Sequence, residues 1–295
     1  MTLLRAKENS ASKLENNTSL LFLLSISLLI LLSFILFLFA LHLDQLDQAD
    51  YWHLQVETFL NLNHLLSTQS NLWFNLTQLG DAFVLLPLFS CLIIWRPQAW
   101  AAIFAAVPLA AFLSWIGKLL AAMPRPAAVL DHTLFNIVGP TLSSSTSLPS
   151  GHTLTLFAVI TAVSVILLPQ LPKRFQTTAL ISALSLALFL SLSRVAVGAH
   201  WPLDLLVGAA LGIISGVSGA LLVQKQTRWQ WLCAPKQPIL AFIMLLWALA
   251  LLFHSFRLMQ ESVLIIWPAA LSALFVSAHL FGLHAHLFSS SKKHP

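Results

Sequence analysis

The chain has 295 residues, of which 58% are hydrophobic and 8% are charged, and its formal net charge is +5. Because a soluble domain carries about 25% charged residues, this composition excludes a water-soluble globular protein and predicts a polytopic membrane protein surrounded by a lipid bilayer. The fifteen Lys and Arg residues are too few and too scattered for a nucleic-acid-binding surface, so no nucleic-acid partner is expected.

Apolar runs of about 20 residues, the length that crosses a bilayer, predict eight transmembrane helices. The polar residues 1–19 precede them and are expected to form a flexible cytoplasmic N-terminus. Between the first two spans, helical spacing of apolar residues predicts an amphipathic helix at the membrane interface, with Trp52, Trp73 and Phe74 at headgroup depth. The predicted spans are residues 20–43, 80–96, 98–121, 151–170, 175–193, 202–224, 238–257 and 262–286.

Basic residues fall mainly on one side of these eight spans. Eleven of the fifteen Lys and Arg residues lie at the two termini and in alternate loops, which the positive-inside rule places in the cytoplasm. Both termini are therefore expected to be cytoplasmic. The other four lie on the outer side, where positive charge has no topological use, and they are Lys118, Arg125, Arg194 and Arg257. Arg257 stands alone and is interpreted as an interfacial loop residue, whereas the first three have polar neighbours.

Three polar segments lie on this outer side, each at the end of a predicted span. They are KLLAAMPRP at residues 118–126, PSGH at residues 149–152 and SRVAVGAHWPLD at residues 193–204. Ionisable groups at membrane depth are expensive, so they indicate function. A compact helical bundle would bring the three segments together at one membrane surface.

The first function these segments suggest is the binding of an anion. PSGH begins a helix, and the backbone N–H groups around Ser150 and Gly151 at a helix N-terminus attract negative charge. Lys118, Arg125 and Arg194 add three cations, and the guanidinium fork matches the geometry of phosphate oxygens. The ligand indicated is a phosphate.

Two histidines add the groups that phosphoryl transfer needs. Asp204 follows His200 by four residues, so its carboxylate could hold one imidazole nitrogen and leave the other as a nucleophile. His152 could protonate the leaving oxygen. This set favours transfer through a phosphohistidine, with cations in the place of metal ions. The sequence has no convincing carboxylate cluster, so neither a metal nor another cofactor is expected.

In their residues and spacing these segments resemble the type 2 phosphatidic acid phosphatase (PAP2) superfamily. The patterns Lys-x6-Arg-Pro, Pro-Ser-Gly-His and Ser-Arg-x5-His-x3-Asp are complete and in order, and the resemblance covers residues 79–224. It implies a metal-independent phosphatase in which His200 is the nucleophile, Asp204 orients it and His152 is the general acid. It also implies that the phosphate is bound by Lys118, Arg125, Ser150, Gly151 and Arg194.

The membrane branch of this superfamily has a six-helix core, so the resemblance implies an all-α helical bundle. The expected division is an N-terminal segment 1–19, a phosphatase core 20–224 and an extension 225–295 that holds two further transmembrane helices. The loop at 127–148, with Asp131, is interpreted as solvated, and its SSSTS run at 143–147 as a flexible hinge or loop. The role of the extension and the oligomeric state are not indicated.

The expected function is a lipid phosphatase of the cytoplasmic (inner) membrane of a bacterium, with its active site facing the periplasm or exterior. Its substrate would be a lipid phosphate or pyrophosphate. The candidates are undecaprenyl pyrophosphate, phosphatidylglycerophosphate, phosphatidic acid and lipid A. Two alternatives stay open at this point. The same site could transfer a phosphoryl group from one lipid to another, or it could belong to a non-catalytic anion-binding protein or transporter.

Overall fold

The computed structural model describes residues 25, 27–40, 48–225, 238–257 and 264–291. Throughout these ranges the regular structure is helical and no β-strand occurs, which confirms the predicted all-α bundle. The predicted flexible segment 1–19 lies outside the described residues, and the predicted three-part division of the chain stays a prediction. The helices are α1 (Ser27–Ala40), α2 (Gln48–His53), α3 (Val56–Leu66), α4 (Ser70–Gln78), α5 (Ala82–Leu88), α6 (Leu92–Trp95), α7 (Pro97–Ala121), α8 (Pro126–Val129), α9 (Gly151–Leu167), α10 (Lys173–Ala196), α11 (Pro202–Lys225), α12 (Pro238–Arg257) and α13 (Ile266–Ser291).

Five helices in the described ranges are long and apolar enough to cross a bilayer, and a sixth span results if one bent pair is counted. Eight spans are therefore not confirmed. The predicted span 80–96 is the second arm of a broken segment, in which Ala82–Trp95 is bent by 69° relative to Val56–Gln78. The predicted first span is described only over the 14 residues of α1. The five spans are Pro97–Val129, Gly151–Gln170, Lys173–Ala196, Pro202–Lys225 and Pro238–Phe256.

The segment before the break differs from the amphipathic helix that the sequence predicts. Trp73 and Phe74 are buried in the protein, with 5% and 6% of their surface exposed, and the headgroup depth expected of them and of Trp52 stays a prediction. Trp73 packs against Ala196, Val197 and Ala199 at the end of α10. The apolar face of this segment is therefore covered by protein, because α3 and α4 pack along α10.

The centre of the bundle consists of α7, α9 and α11, which approach one another closely through small residues. Gly208, Gly212 and Gly216 form one stripe along α11, and a Cβ atom at Gly212 would lie 2.5 Å from the carbonyl oxygen of Leu154. In lipid, where apolar burial contributes little, such small residues allow the backbone contact that holds helices together.

The alternating direction of α7, α9, α10 and α11 brings four helix ends to one end of the bundle. Here the N–H of Ser150 donates to the carbonyl of Asp204 over 3.1 Å, and the Arg125 guanidinium donates to the carbonyl of Ala199 over 2.9 Å. The three polar segments are therefore in contact, as the sequence predicts.

Helices α12 and α13 pack together and against the broken segment. Pro87 lies inside α5 and has no N–H, so it cannot donate to the carbonyl of Phe83 one turn earlier. The indole Nε1–H of Trp247 on α12 donates to this carbonyl over 3.0 Å. On α13, the Ser272 hydroxyl donates to the carbonyl of Leu88 over 3.2 Å. Helices α12 and α13 thus stabilise the broken segment by hydrogen bonds to two backbone carbonyls of α5.

Candidate active site

His200 and Asp204 form a buried pair at the start of α11. His200 Nδ1 lies 3.0 Å from Asp204 Oδ2, and the two residues are 2% and 0% exposed. The other ring nitrogen, Nε2, lies 3.2 Å from Nη1 of Arg125. Because a guanidinium has only donors, Nε2 must accept, and the ring proton is on Nδ1. Burial lowers the pKa of His200 well below its usual range, and Arg125 and Arg194 add to this shift, so the imidazole is neutral at pH 7.

The backbone between Arg194 and His200 has the tight geometry of a helix C-cap. The N–H of Ala199 donates to the carbonyl of Arg194 over 2.9 Å, and that of Gly198 donates to the carbonyl of Val195 over 3.0 Å. Gly198 has φ +76°, the left-handed conformation that ends many helices in this way. The turn fixes the spacing between the guanidinium and the imidazole.

Asp204 accepts three hydrogen bonds besides that of His200. The donors are the backbone N–H of Trp201 at 2.9 Å, the Ser147 hydroxyl at 2.5 Å and the Tyr51 hydroxyl at 2.6 Å. The first is half of a capping box, since Trp201 precedes α11 and Asp204 lies in its first turn. The sequence reasoning missed Tyr51 and Ser147. The one available signal is that Tyr51 is the only tyrosine in the chain.

Arg125 is held by the loop before α9. Its Nε donates to the Ser144 hydroxyl over 3.2 Å and its Nη2 donates to the carbonyl of Thr146 over 3.3 Å. The SSSTS run at 143–147 forms a loop, which was one of the two predicted alternatives, and its Ser144, Thr146 and Ser147 contact Arg125 and Asp204. Asp131, in contrast, is exposed in a turn of its own, as expected of a solvated loop.

Arg194 and Lys118 supply the other two cations. Arg194 is 7% exposed and donates from Nη1 to the Thr77 hydroxyl over 2.6 Å, but its buried Nε has no acceptor among the described residues. Lys118 Nζ lies 3.6 Å from the position that a Cβ atom would take at Gly151. The ammonium group thus faces the first residue of α9.

The N-terminus of α9 is arranged somewhat differently from the prediction. The Ser150 side chain caps the helix by accepting from the N–H of Thr153 over 3.4 Å. The backbone N–H of Ser150 already donates to Asp204, so it is not available to an anion in this structure. The N–H groups of Gly151 and His152, in the first turn, have no acceptor within the helix.

His152 borders a cavity of about 280 Å³ between α5, α7 and α9. At Gly80, a Cβ atom would lie only 2.6 Å from Cβ of His152, so the glycine lets the histidine take this position. His152 interacts electrostatically with all three cations and with His200. Away from His152 the walls are mainly small or apolar side chains, including Ile103, Ala106, Val107, Ala110, Leu154, Ala158 and Val159.

The eight residues predicted for the site therefore lie at one end of the bundle. Arg125 contacts the unprotonated nitrogen of His200, and Lys118 faces the N-terminus of α9. Among the described residues, no group of three or more His, Cys, Asp or Glu side chains is placed to hold a metal ion.

Two solved structures are similar to this chain. The crystal structure of LpxE from Aquifex aeolicus is 28% identical and covers 59% of this chain and 96% of its own, with a TM-score of 0.46. The structure of a PAP2-type phosphatidylglycerolphosphate phosphatase from Bacillus subtilis is 20% identical and covers 68% of this chain and 98% of its own, with a TM-score of 0.47.

Sequence comparisons identify the family. The undecaprenyl-diphosphatase of Sulfolobus acidocaldarius is 31% identical over 165 residues, which are 53% of this chain and 72% of that protein. The sequence profile of the PAP2 superfamily matches residues 99–228, a range that includes every residue predicted for the site. The chain is therefore an integral membrane protein that belongs to the PAP2 superfamily.

Proposed function

We propose that this protein is a lipid phosphatase that removes phosphate from a lipid phosphate or diphosphate through a phosphohistidine, without a metal ion. The observation that carries this proposal is the state of His200. Its Nδ1–H is held by Asp204, and its Nε2 lone pair points to a guanidinium that can bind a phosphate oxygen. A neutral imidazole in this tautomer is ready to attack phosphorus at physiological pH.

The three cations and the start of α9 hold the phosphate. A buried donor without an acceptor costs about 1–3 kcal/mol, so the orphaned Nε of Arg194 favours a ligand oxygen beside it. Arg125 exchanges its contact with His200 Nε2 for a phosphate oxygen, which frees the lone pair. Lys118 and the N–H groups of Gly151 and His152 bind the oxygens on the opposite side.

The reaction then has two steps. His200 Nε2 forms a bond to phosphorus as the bond to the lipid oxygen breaks, and His152 gives that oxygen a proton. His152 next takes a proton from water as the water oxygen attacks the phosphohistidine, and inorganic phosphate and neutral His200 are released. Asp204 stabilises the positive charge that the imidazole gains in the first step, and the cations stabilise the phosphoryl oxygens.

The position of the cavity supports a lipid as the leaving group. A general acid must lie beside the leaving oxygen, and His152 borders the apolar cavity between α5, α7 and α9. The lining residues on α7 run from Ile103 to Ser114, about 16 Å along the helix axis at 1.5 Å per residue. The cavity therefore accommodates the first part of a hydrocarbon chain whose phosphate is at His200.

The first substrate to test is undecaprenyl diphosphate, because the Sulfolobus relative is an undecaprenyl-diphosphatase. Phosphatidylglycerophosphate, phosphatidic acid and lipid A present a phosphate on a lipid in the same way. We place the site at the outer, periplasmic face of a bacterial cytoplasmic membrane, since the distribution of Lys and Arg favours cytoplasmic termini.

The test is a phosphate-release assay of the purified protein in detergent over these four lipids. We expect release from at least one, without inhibition by a chelator, and complete loss in His200→Ala. The matched control is His132→Ala, which removes an exposed histidine from the outer loop and should leave activity unchanged. Binding without release would instead support an anion-binding protein. Transfer of the phosphoryl group to a second lipid in place of water would support a phosphotransferase.

A further inference from the structure

The Asp204 carboxylate is the most heavily hydrogen-bonded group of the site, and its two oxygens differ in their partners. Oδ2 accepts from His200, from the Ser147 hydroxyl and from the N–H of Trp201. Oδ1 accepts from Tyr51, the one donor to this oxygen in the described part of the chain. Since Asp204 has no exposed surface, water cannot take the place of the Tyr51 hydroxyl.

Tyr51 reaches Asp204 from a part of the chain that the PAP2 profile does not include. It lies on α2, 153 residues before Asp204, and the profile begins at residue 99. Gln55 connects the two regions: its Nε2 donates to the carbonyl of Tyr51 over 2.9 Å, and its Oε1 accepts from the N–H of Leu203 over 3.0 Å. The ring of Phe37 packs on Tyr51 at 5.4 Å between centroids. The hydroxyl is therefore held in place against the start of α11.

We propose that Tyr51 is a positioning residue for phosphoryl transfer, which acts by holding the Asp204 carboxylate ionised and oriented toward His200. This inference rests on the proposed function. In the described part of the chain, no hydrogen bond joins Tyr51 to a residue proposed to bind the phosphate, so its effect on the reaction passes through Asp204.

The physical reason lies in what Asp204 must do during the reaction. The carboxylate stabilises the positive charge on His200, so it has to stay ionised and keep Oδ2 at the imidazole. A hydrogen bond to the charged form favours that form, and removal of the donor lets the carboxyl group take up a proton at a higher pH. The pKa of Tyr51 is raised well above its usual range, first by burial and then by the neighbouring Asp204, so the phenol stays a donor throughout.

A role in packing alone predicts a different result. Tyr51→Phe keeps the ring that contacts Phe37 and removes only the oxygen, so a packing residue would tolerate it. A positioning residue would lose turnover but not substrate binding, because the phosphate contacts are made elsewhere. The two roles are separated by kcat, KM and the pH profile.

The experiment measures phosphate release by the full-length protein with the best of the four lipids. In Tyr51→Phe we expect kcat to fall roughly 10- to 100-fold, with KM unchanged and the acidic limb of the kcat profile moved to higher pH. The control is Ser215→Ala on α11, the helix that carries Asp204. This variant removes a buried hydroxyl that, in the described structure, bonds only to the carbonyl of Leu211. It should leave kcat and the pH profile as in the native enzyme.

A double-mutant cycle with Asp204→Asn tests the route of the effect. If Tyr51 acts through Asp204, then Tyr51→Phe causes little further loss of kcat in the Asp204→Asn protein. Equal losses in both backgrounds would overturn the inference, and so would an unchanged kcat and pH profile in the single variant. Should the single variant unfold, Gln55→Ala, which removes the hydrogen bonds that hold Tyr51 against α11, takes its place in the cycle, and additive losses there overturn the inference too. An inactive native enzyme overturns the proposed function, and the inference with it.

Discussion

Gly80 offers a sharp test of the role proposed for His152. In Gly80→Ala, the new methyl group would lie 2.6 Å from Cβ and 2.9 Å from Cδ2 of His152. Ordinary contact begins at 3.4 Å, so this gap must widen by roughly 0.8 Å. Cβ is fixed to the backbone, so rotation of the imidazole cannot relieve this contact, and the loop at Gly80 and the first turn of α9 have to move apart. His152 lies on that turn, so the substitution displaces the proposed general acid, whereas His200 and Arg194 lie on other segments of the chain.

The expected loss depends on the leaving group. A displacement near 1 Å costs on the order of 100-fold in rate for a group that must be aligned in the transition state. We expect a loss of this size with a lipid phosphate, whose alkoxide needs a proton to leave. With p-nitrophenyl phosphate, the leaving group departs without a proton, so the first step should be nearly unaffected. The initial burst of p-nitrophenolate should therefore keep its amplitude.

The assay compares both substrates in Gly80→Ala, His152→Ala and Gly282→Ala. The last is the matched control, because nothing lies within 4 Å of a Cβ atom at Gly282. If Gly80→Ala slows the first step equally with both substrates, the methyl group disturbs phosphate binding or the nucleophile, and the argument for His152 as the acid is refuted.

Two further predictions concern the support of the cavity and the orientation in the membrane. In Trp247→Phe the carbonyl of Phe83 loses its indole donor, so we expect thermal melts to show a free energy of unfolding lower by about 1 kcal/mol. The control Trp267→Phe, at an exposed position, should leave the free energy of unfolding unchanged. In Asp131→Cys, a thiol reagent that does not cross membranes should label intact cells, because this exposed loop lies at the same end of the bundle as the site. Labelling only after permeabilisation would place the site in the cytoplasm.

The residues of the site could be predicted because their chemistry is visible locally. His200 and Asp204 are four positions apart, and a histidine and a carboxylate at membrane depth require a reason without any knowledge of the fold. Lys118, Arg125 and Arg194 stand out because, apart from Arg257, all other Lys and Arg residues lie in segments predicted to be cytoplasmic. Each of these signals depends on composition or on the spacing of nearby residues, and both can be read from the sequence alone.

Contacts between distant segments could not be predicted in this way. Nothing around Tyr51 indicates that its hydroxyl meets Asp204, since that contact depends on how α2 packs against α11. Ser147 lies in a run of small polar residues whose composition is typical of a mobile loop, and its order comes from Arg125 and Asp204 themselves. The support of Pro87 could not be predicted either, because Trp247, which donates to the carbonyl of Phe83 that Pro87 leaves free, is 160 residues away in the chain.

The glycine stripe of α11 connects the packing of the bundle to the chemistry of the site. Gly208 lies one turn after Asp204, and a Cβ atom there would be 2.7 Å from the carbonyl oxygen of Ser150. The close approach of α9 and α11 therefore begins one turn from the carboxylate. At Asp204 itself, the two segments are joined by the hydrogen bond from the N–H of Ser150 to the backbone carbonyl of Asp204. This contact sets the distance between the helix N-terminus that we propose binds the phosphate and the carboxylate that we propose orients His200. A larger residue at Gly208 would separate these two groups, so the small residues that hold the helices together in lipid also fix the geometry of the proposed reaction.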